Sequence, residues 1–161
     1  MGDEKVLTDV ITAMDAIVPS VGEAFARFPL HLRSEWALKQ GSLDDAERCF
    51  REAHRLFPNP GHPEGMIGDF MQTLARIEMH RGRIDEAIAV YTQIIDQNLG
   101  RLENAAAWVM AHAELARLYR QKGMLTEAKR SAGTVVKWWA EGDIAPQVVR
   151  DMKKILAEKE S

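Results

Sequence analysis

One cysteine in 161 residues, Cys49, excludes an internal disulfide, so the chain must hold itself together by packing. A reducing cytoplasm is the compartment that suits such a chain. No apolar run exceeds seven residues, and nothing in the sequence could span a bilayer. The opening Met1-Gly2-Asp3-Glu4-Lys5 has acids where a secretory signal carries basic residues, and Val6 stands where an N-myristoylation motif needs Ser or Thr. Neither charge sign dominates. The net charge is −3 with basic residues interleaved among acids, which leaves no continuous patch for nucleic acid and no general pull toward an anionic membrane. A Gly-rich phosphate loop and a GxSxG elbow are both missing. His31, His54, His62, His80 and His112 show no metal-ligand spacing such as HExxH, and none forms a site with Cys49, which reads as a small buried filler. The pair Asp44-Asp45 is explained by helix capping. What survives is a non-enzymatic protein with no metal and no cofactor.

What is present is a seven-residue signal repeated three times. Gln40-Gly41-Ser42-Leu43-Asp44-Asp45-Ala46 returns as Arg81-Gly82-Arg83-Ile84-Asp85-Glu86-Ala87 and as Lys122-Gly123-Met124-Leu125-Thr126-Glu127-Ala128. The glycines are evenly spaced, since 82 − 41 = 41 and 123 − 82 = 41. Fixed-period self-similarity of this kind marks stacked repeats. Each position has a task in a helix–turn–helix. Gln40, Arg81 and Lys122 close one helix, where a cation suits the negative dipole end. The glycines take the left-handed position just past the helix. Leu43, Ile84 and Leu125 pin the turn to the core. Asp44, Asp85 and Thr126 are expected to cap the next helix, with Glu47 as capping-box partner of Asp44. Ala46, Ala87 and Ala128 let two helices approach closely.

Val6, Leu7, Val10, Ile11, Met14, Ile17 and Val18 make an apolar stripe at helical spacing over residues 3–18. Asp3 lies 41 residues before Asp44 (44 − 3 = 41), so this helix takes the place of a preceding repeat's second helix and reads as a degenerate cap. Pro19-Ser20 is expected to break the chain, with Ser20 and Glu23 boxing a helix that runs to Gln40 and is kinked or split at Pro29. Helices follow from Asp44 to about Phe57, His62 to Arg81, Asp85 to Asn98, Leu102 to Lys122 and Thr126 to about Glu141. Phe50, Ala53 and Leu56 form one inner face; Ile67, Phe70, Met71, Leu74 and Ile77 another. The breaks are Pro58-Asn59-Pro60-Gly61-His62-Pro63, Leu99-Gly100 and Gly142-Asp143. A last amphipathic helix over 144–160 carries Val148, Met152, Ile155 and Leu156 inward, as the covered end of a repeat stack requires. The expectation is an all-α single domain, 1–161, of about eight helices and no strands. It divides into an N-terminal cap (1–19), three repeats (20–60, 61–101, 102–142) and a C-terminal cap (143–161), both ends being true caps.

These positions resemble the tetratricopeptide repeat family over residues 20–141. Counted from the turn glycine, the family has a small residue seven before, an aromatic four before, Ala five after, an aromatic nine after, Ala twelve after and Pro seventeen after. The first repeat has Ser34, Ala37, Ala46, Phe50, Ala53 and Pro58, with Trp36 near the one missing aromatic. The second has Ala75, Glu78, Ala87, Tyr91, Ile94 and Leu99; the third has Ala116, Tyr119, Ala128, Ala132, Val135 and Ala140. The family's period is about 34 residues. The seven extra here add about two turns to each first helix, similar to the long repeats of kinesin light chains and several signalling regulators.

The resemblance implies a right-handed α-solenoid of antiparallel helix pairs whose first helices line a concave groove that grips a peptide or a partner's helix. The groove positions are Phe28, His31, Glu35, Leu38 and Lys39 in the first repeat, then Asp69, Gln72, Arg76, Met79 and His80, then Met110, Ala113, Arg117, Arg120 and Gln121. Arg76 and Arg117 are equivalent, so they should stand side by side and could clamp a carboxylate or phosphate, with His80 and Arg120 one turn on. The plainer alternative is that these cations oppose helix dipoles and pair with Glu35, Asp69 and Glu114. The family's carboxylate clamp for chaperone tails needs Lys, Asn, Asn, Lys and Arg where this chain has His31, Glu35, Thr73, Met110 and Glu114; all five differ, which excludes that ligand. In Trp138-Trp139 one ring should be buried, as core or as a partner anchor.

Three functions are compatible with this reading. The first is a protein–protein interaction module, an adaptor, scaffold or regulatory subunit, binding a protein or peptide partner that carries an anionic group. A ligand-responsive signalling regulator would need a fused effector domain, which this sequence does not contain. A self-assembling scaffold needs imperfect caps. Either a monomer or a homodimer through the Trp138-Trp139 region is compatible with the sequence.

Overall fold

The computed structural model describes residues 2–57, 67–96, 105–141 and 146–159. All regular structure among them is helical: α1 (Gly2–Val21), a 3₁₀ turn (Glu23–Ala26), α2 (Arg27–Lys39), α3 (Leu43–Arg55), α4 (Ile67–His80), α5 (Ile84–Asp96), α6 (Ala105–Gln121), α7 (Leu125–Trp139) and α8 (Pro146–Ala157). No described helix is long and apolar enough to cross a membrane. The expected breaks at 58–63, 99–100 and 142–143, and the expected helix starts at His62 and Leu102, lie outside the described residues. Contacts gather into two compact units, Met1–His62 and Pro63–Ser161.

The three turns are built alike. Gly41, Gly82 and Gly123 sit at φ 79°, 74° and 75°, a left-handed conformation that a Cβ would strain. Each turn closes with the same two bonds. Ser42 N–H donates to the Ala37 carbonyl (2.9 Å) and Gly41 N–H to Leu38 (3.0 Å). Arg83 donates to Glu78 and Gly82 to Met79 at 2.9 and 3.0 Å; Met124 donates to Tyr119 and Gly123 to Arg120 at the same distances. This is the Schellman arrangement, which satisfies carbonyls that a helix end leaves without partners.

The next helix then starts one or two residues earlier than expected. Leu43, Ile84 and Leu125 are already helical, so Ser42, Arg83 and Met124 precede the first turn, and neither Ser42 nor Met124 caps it with a side chain. Asp44 and Asp45 lie inside the first turn, where they favour the positive dipole end without acting as N-caps. Glu47 accepts from Arg51 Nε at 2.9 Å and so pairs along the helix.

Unit 1 is a hairpin of α2 and α3 with α1 laid against it. Ser34 and Ala46 are fully buried at the crossing, and the Ser34 hydroxyl donates to the Ala46 carbonyl at 2.7 Å. Cys49, Phe50, Ala53, Phe57 and Leu38 fill the space around them, while Leu56 is only half-buried. The entry to α2 departs from expectation. Helix α1 runs through Pro19 to Val21, and the Ser20 hydroxyl donates back to the Ile17 carbonyl at 2.7 Å, so Ser20 caps nothing. The break falls at Gly22, φ 105°, where glycine supplies a conformation that proline cannot. Pro29 lies in the first turn of α2, where its missing N–H has no helical partner to lose. The chain changes from 3₁₀ to α three residues before it.

Unit 2 packs α4 on α5, α5 on α6, α6 on α7 and α7 on α8, with α4 also touching α6 and α6 touching α8. Ala75, Ala87, Ala116 and Ala128 are fully buried at the crossings. Phe70, Met71, Ile77, Tyr91, Ile94, Leu115 and Leu118 fill the rest; Leu74 is half-buried. A second cluster joins Trp108, Val109, Val135 and Trp139 to Val149, Met152 and Ile155 of α8. The α8 face is rotated slightly from the expected one: Val149 is buried beside the half-buried Val148, which also packs on this cluster, and Leu156 is exposed.

The two ends differ. The face of α8 away from the core is polar, with Arg150, Lys153 and Lys154 exposed. Along α1, Val6, Val10, Ile17 and Val21 are exposed beside the polar Lys5, Asp9 and Thr12, an apolar row that α8 does not carry.

Candidate functional site

The expected groove residues fall in both units, those of the first repeat in unit 1 and those of the second and third in unit 2. In unit 1, His31 Nε2 lies 3.6 Å from Glu35 Oε1, one turn apart on α2. Lys39 is exposed with its ammonium 5.4 Å above the Trp36 ring. Phe28 is half-buried against Phe25 and under Arg27, whereas Leu38 is buried and cannot line a surface.

Unit 2 gathers more chemistry. Tyr91 of α5 is buried, and among the described residues its hydroxyl donates to Met79 Sδ at 4.0 Å, a weak acceptor. Burial raises the phenol's pKa well above its ordinary value, and the Glu114 carboxylate adds to the rise. Arg76 and Arg117 pull in the other direction. One buried hydroxyl thus feels Arg76 from α4 and Glu114 and Arg117 from α6. Burial remains the larger cause, and the phenol stays a neutral donor.

Local bonds set the two arginines. Arg76 donates through Nε to the Gln72 carbonyl (3.4 Å) and through Nη2 to the hydroxyl of the buried Thr73 (3.3 Å), which lays it along its own helix. Arg117 Nη1 donates to Glu114 Oε1 one turn back. The plainer alternative for Glu114 therefore holds in part: it pairs with Arg117, yet that pair remains partly open to water. Gln72 is half-buried and His80 exposed beyond Arg76. Arg120 pairs with Glu158 at 2.6 Å, and Gln121 is exposed. Met79 and Met110 are half-buried; Ala113 is fully buried and does not line a groove. The Asp69 side chain is outside the described set.

A second cluster went unread in the sequence. Trp108 and His112, one turn apart on α6, meet edge to face with centroids 4.4 Å apart, and Trp138 meets Trp108 edge to face at 6.3 Å. Trp108 Nε1 and both His112 ring nitrogens are buried with no hydrogen-bond partner, and burial lowers the His112 pKa to about 4. Of the tryptophan pair, Trp139 is in the core and Trp138 is 59% exposed with Lys137 over its ring. Cys49 is buried, and burial raises its thiol pKa. Among the described residues no three His, Cys, Asp or Glu side chains gather as metal ligands. The depression on α3 lined by Asp44, Glu47, Arg48, Arg51 and Glu52 is filled by charges that pair with neighbours, Arg48 with Asp45 and Arg51 with Glu47.

Compared with models of known protein families and with curated proteins, the chain finds no match in either.

Proposed function

We propose that this protein is a non-enzymatic interaction module, an adaptor, scaffold or regulatory subunit. Its repeats resemble the tetratricopeptide type stacked as a right-handed solenoid. It takes a peptide or partner segment carrying a carboxylate or phosphate across α4 and α6. The observation that carries this reading is the partly open Arg117–Glu114 pair on α6, the helix that α4, which bears Arg76, also touches. A guanidinium already paired with a carboxylate one turn away is held in one orientation, and a partner's anion gains a bidentate contact by displacing Glu114. Gln72, His80, Arg120 and Gln121 extend the same wall, with His31, Glu35 and Lys39 as the first repeat's equivalents. The reducing cytoplasm is the proposed compartment, on the strength of a single cysteine.

The test compares captured partners across variants. Arg76→Ala/Arg117→Ala should lose a partner that wild type retains, with an unchanged helical spectrum, because both residues are only partly buried. Glu114→Gln should retain that partner more strongly by about tenfold, since the competing internal anion is gone and each 1.4 kcal/mol is a factor of ten. A partner that binds all three proteins alike at low salt would move the site away from this wall.

A further inference from the structure

Helix α1 carries more apolar surface than its neighbours cover. Leu7, Ile11, Met14 and Val18 are half-buried where α1 packs on the 3₁₀ turn and α2. Val6, Val10, Ile17 and Val21 stand 63%, 44%, 44% and 56% exposed, with Ala13 exposed between them. At 100° per residue these five fall within an arc of about 80° along a helix about 30 Å long. Single exposed valines are ordinary, but four branched residues in line are not.

We propose that a second copy of this chain covers this stripe, its α1 running antiparallel about a two-fold axis beside Ala13. Three observations select that occupant. The stripe reads nearly the same in both directions: 6 + 21 = 27 and 10 + 17 = 27, so Val6 faces Val21 of the second copy and Val10 faces its Ile17. Self-complementarity of this kind is what a two-fold interface requires. The small Ala13 lies at the axis, where two backbones approach most closely. The charges agree too. Asp9, exposed, borders the stripe on the side of Ala13; a parallel pairing would set Asp9 on Asp9, and the antiparallel register avoids that repulsion. One helix face offers less than the roughly 800 Å² per partner of a standard stable interface, so the dimer is reversible and its population follows concentration.

Sedimentation equilibrium of the whole chain tests this. The apparent mass should rise above the 18.1 kDa monomer as concentration increases into the high micromolar range. Val10→Lys/Ile17→Lys should return it to the monomer mass, weakening association at least about 100-fold by burying unpaired charge. Both positions are exposed, so its circular dichroism should match wild type. Cysteine pairing tests the register. Ala13→Cys should oxidise to a linked dimer, and Val6→Cys mixed with Val21→Cys should also link. Val6→Cys alone should not, because the two copies' positions lie about 22 Å apart along the axis, beyond disulfide reach. Wild type, whose one thiol is buried, is the control. A wild-type monomer at every concentration overturns the proposal. So does a dimer that survives Val10→Lys/Ile17→Lys, or Val6→Cys linking to itself as readily as Ala13→Cys does.

Discussion

At the scale of single residues, His112 is the group whose position matters most and shows least in the sequence. Its ring is buried against Trp108 with both nitrogens unpaired, an arrangement that costs free energy and persists only because the packing around it is favourable. Its folded pKa of about 4 lies below the ordinary 6.5. Above pH 6.5 neither folded nor unfolded chain carries a proton there, and the full stability is present. As pH falls from 6.5 toward 4 the unfolded chain takes up a proton that the folded chain refuses, so stability declines across that window and levels below it. The melting temperature should therefore drop between pH 7 and pH 5, and His112→Phe, which keeps the aromatic contact, should reduce that drop. An equal drop in both proteins would show that His112 is already solvated in the fold. The i, i+4 spacing of Trp108 and His112 was legible, but their burial depends on how α6 is rotated about its axis. The turn glycines that fix the register of Arg76 and Arg117 were legible by contrast. The pairing of Arg117 with Glu114 was legible only as one alternative, because it depends on side-chain rotamers.

At the scale of elements, the turns were the most legible part because their chemistry is local. A glycine at 41-residue spacing, a small residue before it and an alanine after it are enough to place each hairpin, and α2–α3, α4–α5 and α6–α7 all follow. The errors were of phase. Asp44, Asp85 and Thr126 have good capping side chains, yet the Schellman bonds fix the chain two residues earlier and leave Ser42, Arg83 and Met124 at the boundary. Likewise α8 buries Val149 more deeply than Val148, since its rotation is set by the cluster it covers. The glycines separate two effects that sequence alone confounds. A Cβ added at Gly82 meets nothing within 4 Å, so Gly82→Ala should cost only the left-handed strain, about 1–2 kcal/mol. A Cβ at Gly133, inside α7, also meets open space but with ordinary helical backbone, and Gly133→Ala should stabilise by about 0.5–1 kcal/mol. Urea denaturation of the two variants should move in opposite directions.

At the scale of the whole molecule, an 18.1 kDa chain with no disulfide depends on each unit closing its own core. In unit 2 that closure is assigned to α8. Met152 is fully buried among Val135, Trp139, Val149 and Ile155, while Lys153 and Lys154 beside it face solvent. Removing residues 143–161 would uncover Val135, Ala132 and Trp139, an apolar surface with no polar outer layer. The truncated chain should bind a hydrophobic dye, shift its tryptophan emission to the red as Trp139 meets water, and aggregate on warming. Met152→Ala, which leaves α8 in place, should cost about 2–5 kcal/mol as a cavity in a packed core, whereas Lys153→Ala should stay within about 0.5 kcal/mol. Were the truncated chain to melt like wild type, α8 would be an appendage, and the cluster from Trp108 to Val135 would have to be sufficient without it. The contacts argue otherwise, because α8 meets both α7 and α6 and so braces both helices of the last hairpin, including the one that carries Arg117.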